Sequence, residues 1–400
     1  MKILIISNFF YPQIHIASFR IEAFAKYFNK AGYDVTVITE GEHDMTKLWN
    51  GCKIQYVKDP AKLTRIVFKD NDSVLLHKIK ALINTIYNQI FLDKKRAWRL
   101  KVNKLINNII EDEEIDIILS SYGYLSPHLL ALNLKLKNPS CKWIADMRDE
   151  MSTNPFFSSW ISFRLKKVEK VILNNADLIL SVSAPILNAF SNNCNKNTNF
   201  LEIKNGYDFK EYKEHDFQEK FTLSYIGSFY GSIRPDILIE ALLELKKLRR
   251  ISLNFEFKIV GNRKPIEIPA DLRDNILQYP RVPHEQAIEK MKETDVLLII
   301  HPKGRKGVYT GKLFDYLAIN RIILAIVDPN DVIADVLEET NAGYAVDIDD
   351  LKSIENMIEY CYTLWKERKT IPRNWEKVQK YSRERQVGIL LDYIKSNWTK

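Results

Sequence analysis

Between Met1 and Gly32 the chain contains no glycine. That stretch holds the first strand-like run, residues 2–7, and the first helical pattern, residues 19–30. The turn joining them therefore cannot carry the G-x-G-x-x-G fingerprint that lets a helix N-terminus approach a dinucleotide pyrophosphate. A nicotinamide-dependent dehydrogenase of the usual kind is not expected on that ground. Cysteine is scarce as well. Cys52, Cys141, Cys194 and Cys361 are the only four, far apart and without a C-x-x-C, which fits a reducing compartment. The seven histidines form no H-x-H or H-E-x-x-H spacing, so no protein-held metal is expected. No apolar segment approaches the roughly 20 residues of a membrane span, and the apolar start is too short for a signal peptide. The expected location is cytoplasmic, with peripheral attachment at the inner face of a membrane kept open. Gly311-Lys312 lacks the spacing and the Ser/Thr of a P-loop, and no G-x-S-x-G elbow is present.

What is present is length and hydrophobic material. A chain of 400 residues, 46% of them hydrophobic, exceeds one core and predicts two domains. Strand-like runs at residues 2–7, 35–39, 54–57, 116–120, 141–146, 178–182 and 200–203 alternate with helical patterns. This predicts a parallel sheet covered by helices on both faces. A polar stretch from Lys204-Asn205-Gly206-Tyr207-Asp208 to Lys220 reads as the interdomain linker. A second alternating set follows at residues 221–226, 255–260, 296–300, 322–326 and 344–346. The expected fold class is α/β, with two Rossmann-like doubly wound domains facing across a cleft. Asp347-Ile348-Asp349 closes a strand before a helical run, where helix capping is the expected role.

The net charge of +8 is concentrated. From Lys58 to Lys104 many lysines and arginines face only four acids, Asp59, Asp70, Asp72 and Asp93. Leu75, Leu76, Ile79, Leu82, Ile83, Ile86, Tyr87 and Ile90 recur there at helical spacing. Trp98, Val102, Leu105 and Ile109 do so after Lys94-Lys95-Arg96. Two readings stand: basic amphipathic helices on an anionic membrane surface, or helices docked on the protein's own core. No nucleic-acid-binding motif accompanies the charge, so nucleic acid is not an expected partner.

The organising stretch is G-V-Y-T-G-K-L-F-D-Y-L-A, residues 307–318, between two buried strand-like runs. Leu313, Phe314 and Leu317 share one helical face, and Lys312 and Asp315 are neighbours on another. A helix opening at a strand's carboxyl end offers free N–H groups to an anion. Gly227 likewise ends a predicted strand. The loop after it reaches Arg234 and then a proline suited to a first helical turn, and such an arginine can grip a diphosphate in forked geometry. In the first half, Asp146-Met147-Arg148-Asp149-Glu150 puts charges at a strand's carboxyl end. Function or an internal ion pair explains them equally.

Several segments together resemble bacterial glycosyltransferases of family 4, a retaining, nucleotide-sugar-dependent group with the GT-B fold. They are A-S-F-R-I-E-A-F-A-K-Y-F-N-K-A-G-Y-D-V-T-V-I-T (17–39), A-D-M-R-D (145–149), K-N-G-Y-D (204–208), Y-I-G-S-F-Y-G (225–231), F-K-I-V-G (257–261), V-P-H-E-Q-A-I-E-K-M-K-E-T-D (282–295) and K-L-F-D-Y-L-A (312–318). The resemblance implies an acceptor-side domain over residues 1–208 and a nucleotide-sugar-binding domain over 209–380. The last helix, residues 381–400, crosses back to the first domain. Carried over by position, Arg234 faces the diphosphate and Val282 lies by the base. Asp315 stands where a glutamate meets the ribose hydroxyls, and Tyr309, Thr310, Gly311 and Lys312 face the diphosphate or sugar, beside Gly227. The acceptor is expected near residues 10–20, with Ser18 and Arg20, near Tyr122, and near Asp146, Arg148 and Asp149. Arg234, Lys312, Asp146, Arg148 and Asp149 are the catalytic candidates. Two departures stand out: eight residues before Asp315 is Gly307 instead of the family's first acid, and residues 235–241 contain no lysine.

The expected partners are a nucleotide-diphosphate sugar and a glycan or lipid-linked acceptor, with no cofactor and no obligate metal. The implied activity is retaining transfer in cell-surface polysaccharide or glycolipid synthesis. A nucleotide-sugar 2-epimerase of the same fold, or a catalytically weak partner subunit, remain the alternatives.

Overall fold

In a computed structural model the described residues are 1–13, 15–60, 73–112, 114–195 and 198–398. The chain divides into two compact units, Met1–Lys204 with Val387–Lys400, and Asn205–Gln386. The first unit runs β1 (Lys2–Ile6), α1 (Ile16–Lys30), β2 (Asp34–Gly41), β3 (Met45–Trp49), β4 (Cys52–Lys58), α2 (Val74–Ile90), α3 (Arg96–Asp112) and β5 (Ile117–Ser121). It continues through α4 (Ser126–Lys137), β6 (Lys142–Arg148), α5 (Ser159–Asn175), β7 (Leu178–Ser181), α6 (Ala184–Ser191) and β8 (Asn199–Glu202). These strands form one sheet in the order β3-β4-β2-β1-β5-β6-β7-β8, parallel except for the edge strand β3. That strand pairs with β4 through a hairpin whose Asn50 and Gly51 both take positive φ, at 46° and 79°. An Asn-Gly turn of this hand matches the twist of paired strands.

The second unit holds β9 (Thr222–Ile226), α7 (Asp236–Lys247), β10 (Glu256–Val260), β11 (Ile276–Tyr279), α8 (His284–Lys292), β12 (Val296–Ile300) and α9 (Gly311–Leu317). It then holds β13 (Ile322–Val327), α10 (Val332–Thr340), β14 (Gly343–Asp347), α11 (Leu351–Lys366) and α12 (Trp375–Gln379). The all-parallel order is β11-β10-β9-β12-β13-β14. β12 and β13 are buried along their whole length, as expected of central parallel strands covered on both faces. Both units are doubly wound, Rossmann-like layers.

The final helix, α13 (Arg383–Trp398), places Val387, Leu390 and Ile394 in the first unit's core with Ile3, Phe24 and Ile203. Their spacing of three and four makes a single helical stripe. The polar stretch expected as a linker is fastened to the second unit instead. Tyr212 donates its N–H to the Ala318 carbonyl at 2.8 Å, and Trp365 donates Nε1–H to the Gln218 carbonyl at 3.0 Å. Asp347 and Asp349 do not cap α11 as expected. Both meet Lys303, at 2.5 and 2.9 Å, and Asp350 is the cap, accepting from Ser353 N at 3.0 Å.

The two basic helices part company. Trp98, Val102 and Ile106 of α3 are fully buried, and Lys95 is paired with Glu40 and Asp59 at 2.6 and 3.2 Å. α3 therefore serves the protein's own core. Leu75, Leu76, Ile79, Ile83 and Ile90 of α2 are exposed. The side chains of Leu82, Ile86, Tyr87 and Ile109 lie outside the described residues.

Candidate functional site

In the second sheet β9 leads through α7 to β10 on one side, while β12 leads through α9 to β13 on the other. Chain direction thus switches between β9 and β12, and ligands of doubly wound sheets bind at the carboxyl ends of strands at such a point. Gly227 follows β9 there with φ of +140°, and an added Cβ would come 3.1 Å from Lys312 Nζ. The positive φ is what calls for glycine, and a side chain there would also crowd the lysine amine. The Lys312 amine lies 3.5 Å from the centroid of the Tyr225 ring, a cation–π contact. No carboxylate among the described residues pairs with it, and removal from water lowers its pKa to about 7.

A seven-residue helix has little stability of its own, and α9 is held from both sides. The Tyr316 hydroxyl accepts from Ile226 N at 3.1 Å, tying α9 to the end of β9. The buried Arg373 donates to the carbonyls of Tyr316 and Leu317 at 3.0 and 2.8 Å, and also to those of Ile319, Arg321 and Ala342. A cation on the last carbonyls suits a helix C-terminus. Asp315, one turn after Lys312, is held by His284 with Nε2 to Oδ2 at 3.0 Å. His284 opens α8 directly after Val282 and Pro283. Thr310 precedes Gly311, the first residue of α9, and its hydroxyl is buried without a hydrogen-bond partner among the described residues. The Tyr309 ring meets Phe314 edge-on at 5.3 Å. Gly307, where the resemblance calls for an acid, donates its N–H to Asp331 Oδ1 at 2.8 Å.

Arg234 lies at the lip of a surface pocket of ≈ 400 Å³ formed with Phe229, Tyr230, Ile233 and Ile266. It is 70% exposed and paired with Asp236 at 2.6 Å. No contact among the described residues joins it to Lys312. The link is indirect: Phe229 of that pocket stacks on Tyr225 at 4.2 Å, and Tyr225 carries Lys312. The loop is fixed by Ser228 Oγ donating to the Gly261 carbonyl at 2.7 Å and by Phe229 N donating to Asn262 Oδ1 at 3.0 Å.

The first sheet has its own switch between β1 and β5. At its carboxyl edge Arg20 grips Asp146 through Nε to Oδ2 at 3.0 Å and Nη2 to Oδ1 at 2.8 Å. Arg20 Nη1 donates to the Ile203 carbonyl at 2.8 Å, and Ser121 Oγ donates to Asp146 Oδ2 at 2.8 Å. The Asp146 carboxylate thus ties α1 to the ends of β5 and β6. Arg148 takes φ of 60°, uncommon for a side chain this bulky. It donates Nη1–H to the Tyr122 carbonyl at 3.2 Å, and burial pulls its guanidinium below its ordinary pKa. Tyr122 stacks on His128 at 6.0 Å; Asp149 follows Arg148 half-buried. Burial takes His128 down to about 4. Trp143 Nε1 donates to Ser120 Oγ at 2.8 Å, which leaves the Ser120 hydroxyl to donate to His128 Nδ1 at 2.7 Å. The Ser18 hydroxyl and both Asn8 side-chain polar atoms are buried without hydrogen-bond partners among the described residues, a cost that sites waiting for a ligand often carry.

Of the residues singled out in the sequence, the structure assembles Gly227, Lys312 and Asp315 with its neighbours in one unit, and Arg20, Asp146, Arg148 and Tyr122 in the other. It adds Tyr225, His284, Tyr316 and Arg373. His284 was within reach of the sequence, because Pro283 marks a helix start and puts the next side chain at its mouth.

No protein-family model matches the chain, and no curated protein matches it in sequence. Solved structures do. The sucrose-phosphate synthase of Thermosynechococcus elongatus superposes with a TM-score of 0.68 at 14% identity, over 99% of this chain and 98% of that one. HepE of Anabaena, in complex with UDP and glucose, gives 0.64 at 13%, over 99% and 100%. An Escherichia coli trehalose-6-phosphate protein bound with UDP-2-fluoro glucose gives 0.65 at 12%, over 99% of both chains. At these identities the likeness establishes the fold: the chain has the GT-B fold of nucleotide-sugar glycosyltransferases, with its last helix returned to the first domain.

Proposed function

We propose that the protein is a retaining glycosyltransferase of the family 4 type. It moves a sugar from a nucleotide-diphosphate sugar to a glycan or lipid-linked acceptor in cell-surface polysaccharide or glycolipid synthesis, at the cytoplasmic face of a membrane and without an obligate metal. The observation that carries this reading is the Lys312 amine, desolvated against Tyr225 and Gly227 at the switch point, without a carboxylate partner among the described residues. A cation held this way is completed by an incoming anion.

The donor binds in the unit of residues 205–386. Its diphosphate lies between Lys312 and Arg234, and its ribose hydroxyls meet Asp315, oriented by His284. The base runs toward Val282. In the transfer the bond from the sugar's anomeric carbon to the diphosphate oxygen breaks as that carbon takes on oxocarbenium character. The leaving diphosphate gathers negative charge, met by Lys312, Arg234 and the N–H groups around Thr310 and Gly311. The acceptor hydroxyl attacks from the same face and passes its proton to the departing diphosphate oxygen, so configuration is retained. The acceptor rests on the first unit, by Ser18, Tyr122, Arg148 and Asp149, on the frame set by Arg20 and Asp146.

The test is calorimetric titration of a nucleoside diphosphate. Arg234→Ala removes a charge-assisted contact of about 1.5–3 kcal/mol, a loss of roughly 10- to 100-fold in affinity. Asp315→Ala weakens nucleotides but leaves inorganic pyrophosphate binding nearly unchanged, because its carboxylate serves hydroxyls. Chelator leaves transfer intact. Folded variants that bind as wild type does would show that the donor is held elsewhere.

A further inference from the structure

We propose that α2 and the start of α5 form a docking face for an anionic lipid bilayer. The proposal deepens the lipid-linked reading above, but its test uses neither donor nor acceptor, so either can fail alone.

Leu76, Ile79, Ile83 and Ile90 are 42%, 46%, 44% and 54% exposed. Their spacings of three, four and seven set them along one face of a helix about 25 Å long. α2 contains Lys78 and Lys80 and no Asp or Glu. Arg164 of α5 donates from Nη1 and Nη2 to the Ile90 carbonyl, both at 3.1 Å, joining the two helices. Beside that junction Trp160 and Phe163 are 60% and 54% exposed, their rings 6.5 Å apart. Lys167 Nζ sits 4.6 Å from the Phe163 centroid. The only acid of α5, Glu169, is buried and bonded to Ser152. The charge α5 shows to solvent is therefore entirely positive, from Arg164, Lys166, Lys167 and Lys170.

Exposed aliphatic side chains on a helix without acids, edged by tryptophan and lysine, match a bilayer interface: acyl chains take the apolar stripe and headgroups the cations. A second copy of the chain would bring positive surface against positive surface. Among the described residues no helix is long and apolar enough to span a membrane, so attachment here is along the surface.

The experiment is co-sedimentation of the full chain with vesicles of phosphatidylglycerol and phosphatidylcholine, against vesicles of phosphatidylcholine alone. Binding is expected on the anionic vesicles only, and to fall as salt rises. Each lysine near such a surface is worth about fivefold in partitioning, so Lys166→Glu with Lys167→Glu lowers it by at least about tenfold. Ile79→Glu with Ile83→Glu lowers it as far. All four side chains are exposed, so the unfolding midpoint should stay in place, which separates lost docking from lost folding. Binding that ignores charge and salt, or variants that sediment as wild type does, would overturn the proposal. So would a wild-type dimer in sedimentation equilibrium that Ile79→Glu with Ile83→Glu dissociates, because a second copy would then occupy this face.

Discussion

The two sheets carry the same topological feature, a switch in strand direction with charged residues at its carboxyl edge, and they treat those charges in opposite ways. In the first unit Arg20 and Asp146 are 3% and 0% exposed and satisfy each other, with Ser121 and the Ile203 carbonyl completing the set. In the second unit Lys312 faces an aromatic ring and a glycine, and its pKa falls to about 7 because no carboxylate among the described residues offsets its removal from water. A paired buried charge holds strand ends together. A desolvated charge without an acid is a cost to the fold that bound anion recovers.

The largest expected effect breaks the first half of this contrast. Asp146→Ala leaves Arg20 buried without its acid and should destabilise the protein by about 3–5 kcal/mol, read as a lower midpoint in urea. Lys312→Met, of similar length and without charge, should leave that midpoint unchanged or raised. The sign follows from the shift: the folded pKa lies below the unfolded one, so the protonated amine opposes folding, and its loss relieves that. A Lys312→Met protein as destabilised as Asp146→Ala would make Lys312 a structural residue.

Next in size is pH. The Lys312 amine titrates near 7 in the free protein, and only its protonated form donates charge to a diphosphate. Affinity for nucleoside diphosphate should therefore fall as pH rises above neutrality, by at most about tenfold per pH unit. Titrations of wild type at stepped pH, set against Lys312→Met, check this. A variant with the same slope as wild type would assign the titration to another group.

The contrast also shows what could be read from the sequence. Alternating apolar runs and helical periods gave the doubly wound layers, since central strands such as β12 and β13 are apolar throughout. The stripe of Val387, Leu390 and Ile394 was legible as a helix, and the family pattern assigned its return to the first domain. Lys312 and Asp315 were placed side by side by helical spacing alone. Periodicity could not separate α2 from α3, because an amphipathic helix has the same pattern whether it faces a core or a foreign surface. The partners of Asp146 were hidden for a related reason: Arg20 is 126 residues away, and only the order of β1, β5 and β6 brings the pair together. The β3–β4 hairpin was within reach, because Asn50-Gly51 spells its turn, but Met45-Thr46-Lys47-Leu48-Trp49 lacks the alternation of apolar and polar residues that marks a strand.

The most direct test of the Lys312 assignment is proton uptake on ligand binding, measured by calorimetry of nucleoside diphosphate at about pH 8 in two buffers of different ionisation enthalpy. Near that pH the amine is mostly neutral in the free protein, its pKa being about 7, and a bound diphosphate draws a proton onto it. Wild type should take up close to one proton per molecule bound, and Lys312→Met none, with weaker binding. Binding without uptake in wild type, or equal uptake by both proteins, would contradict the account.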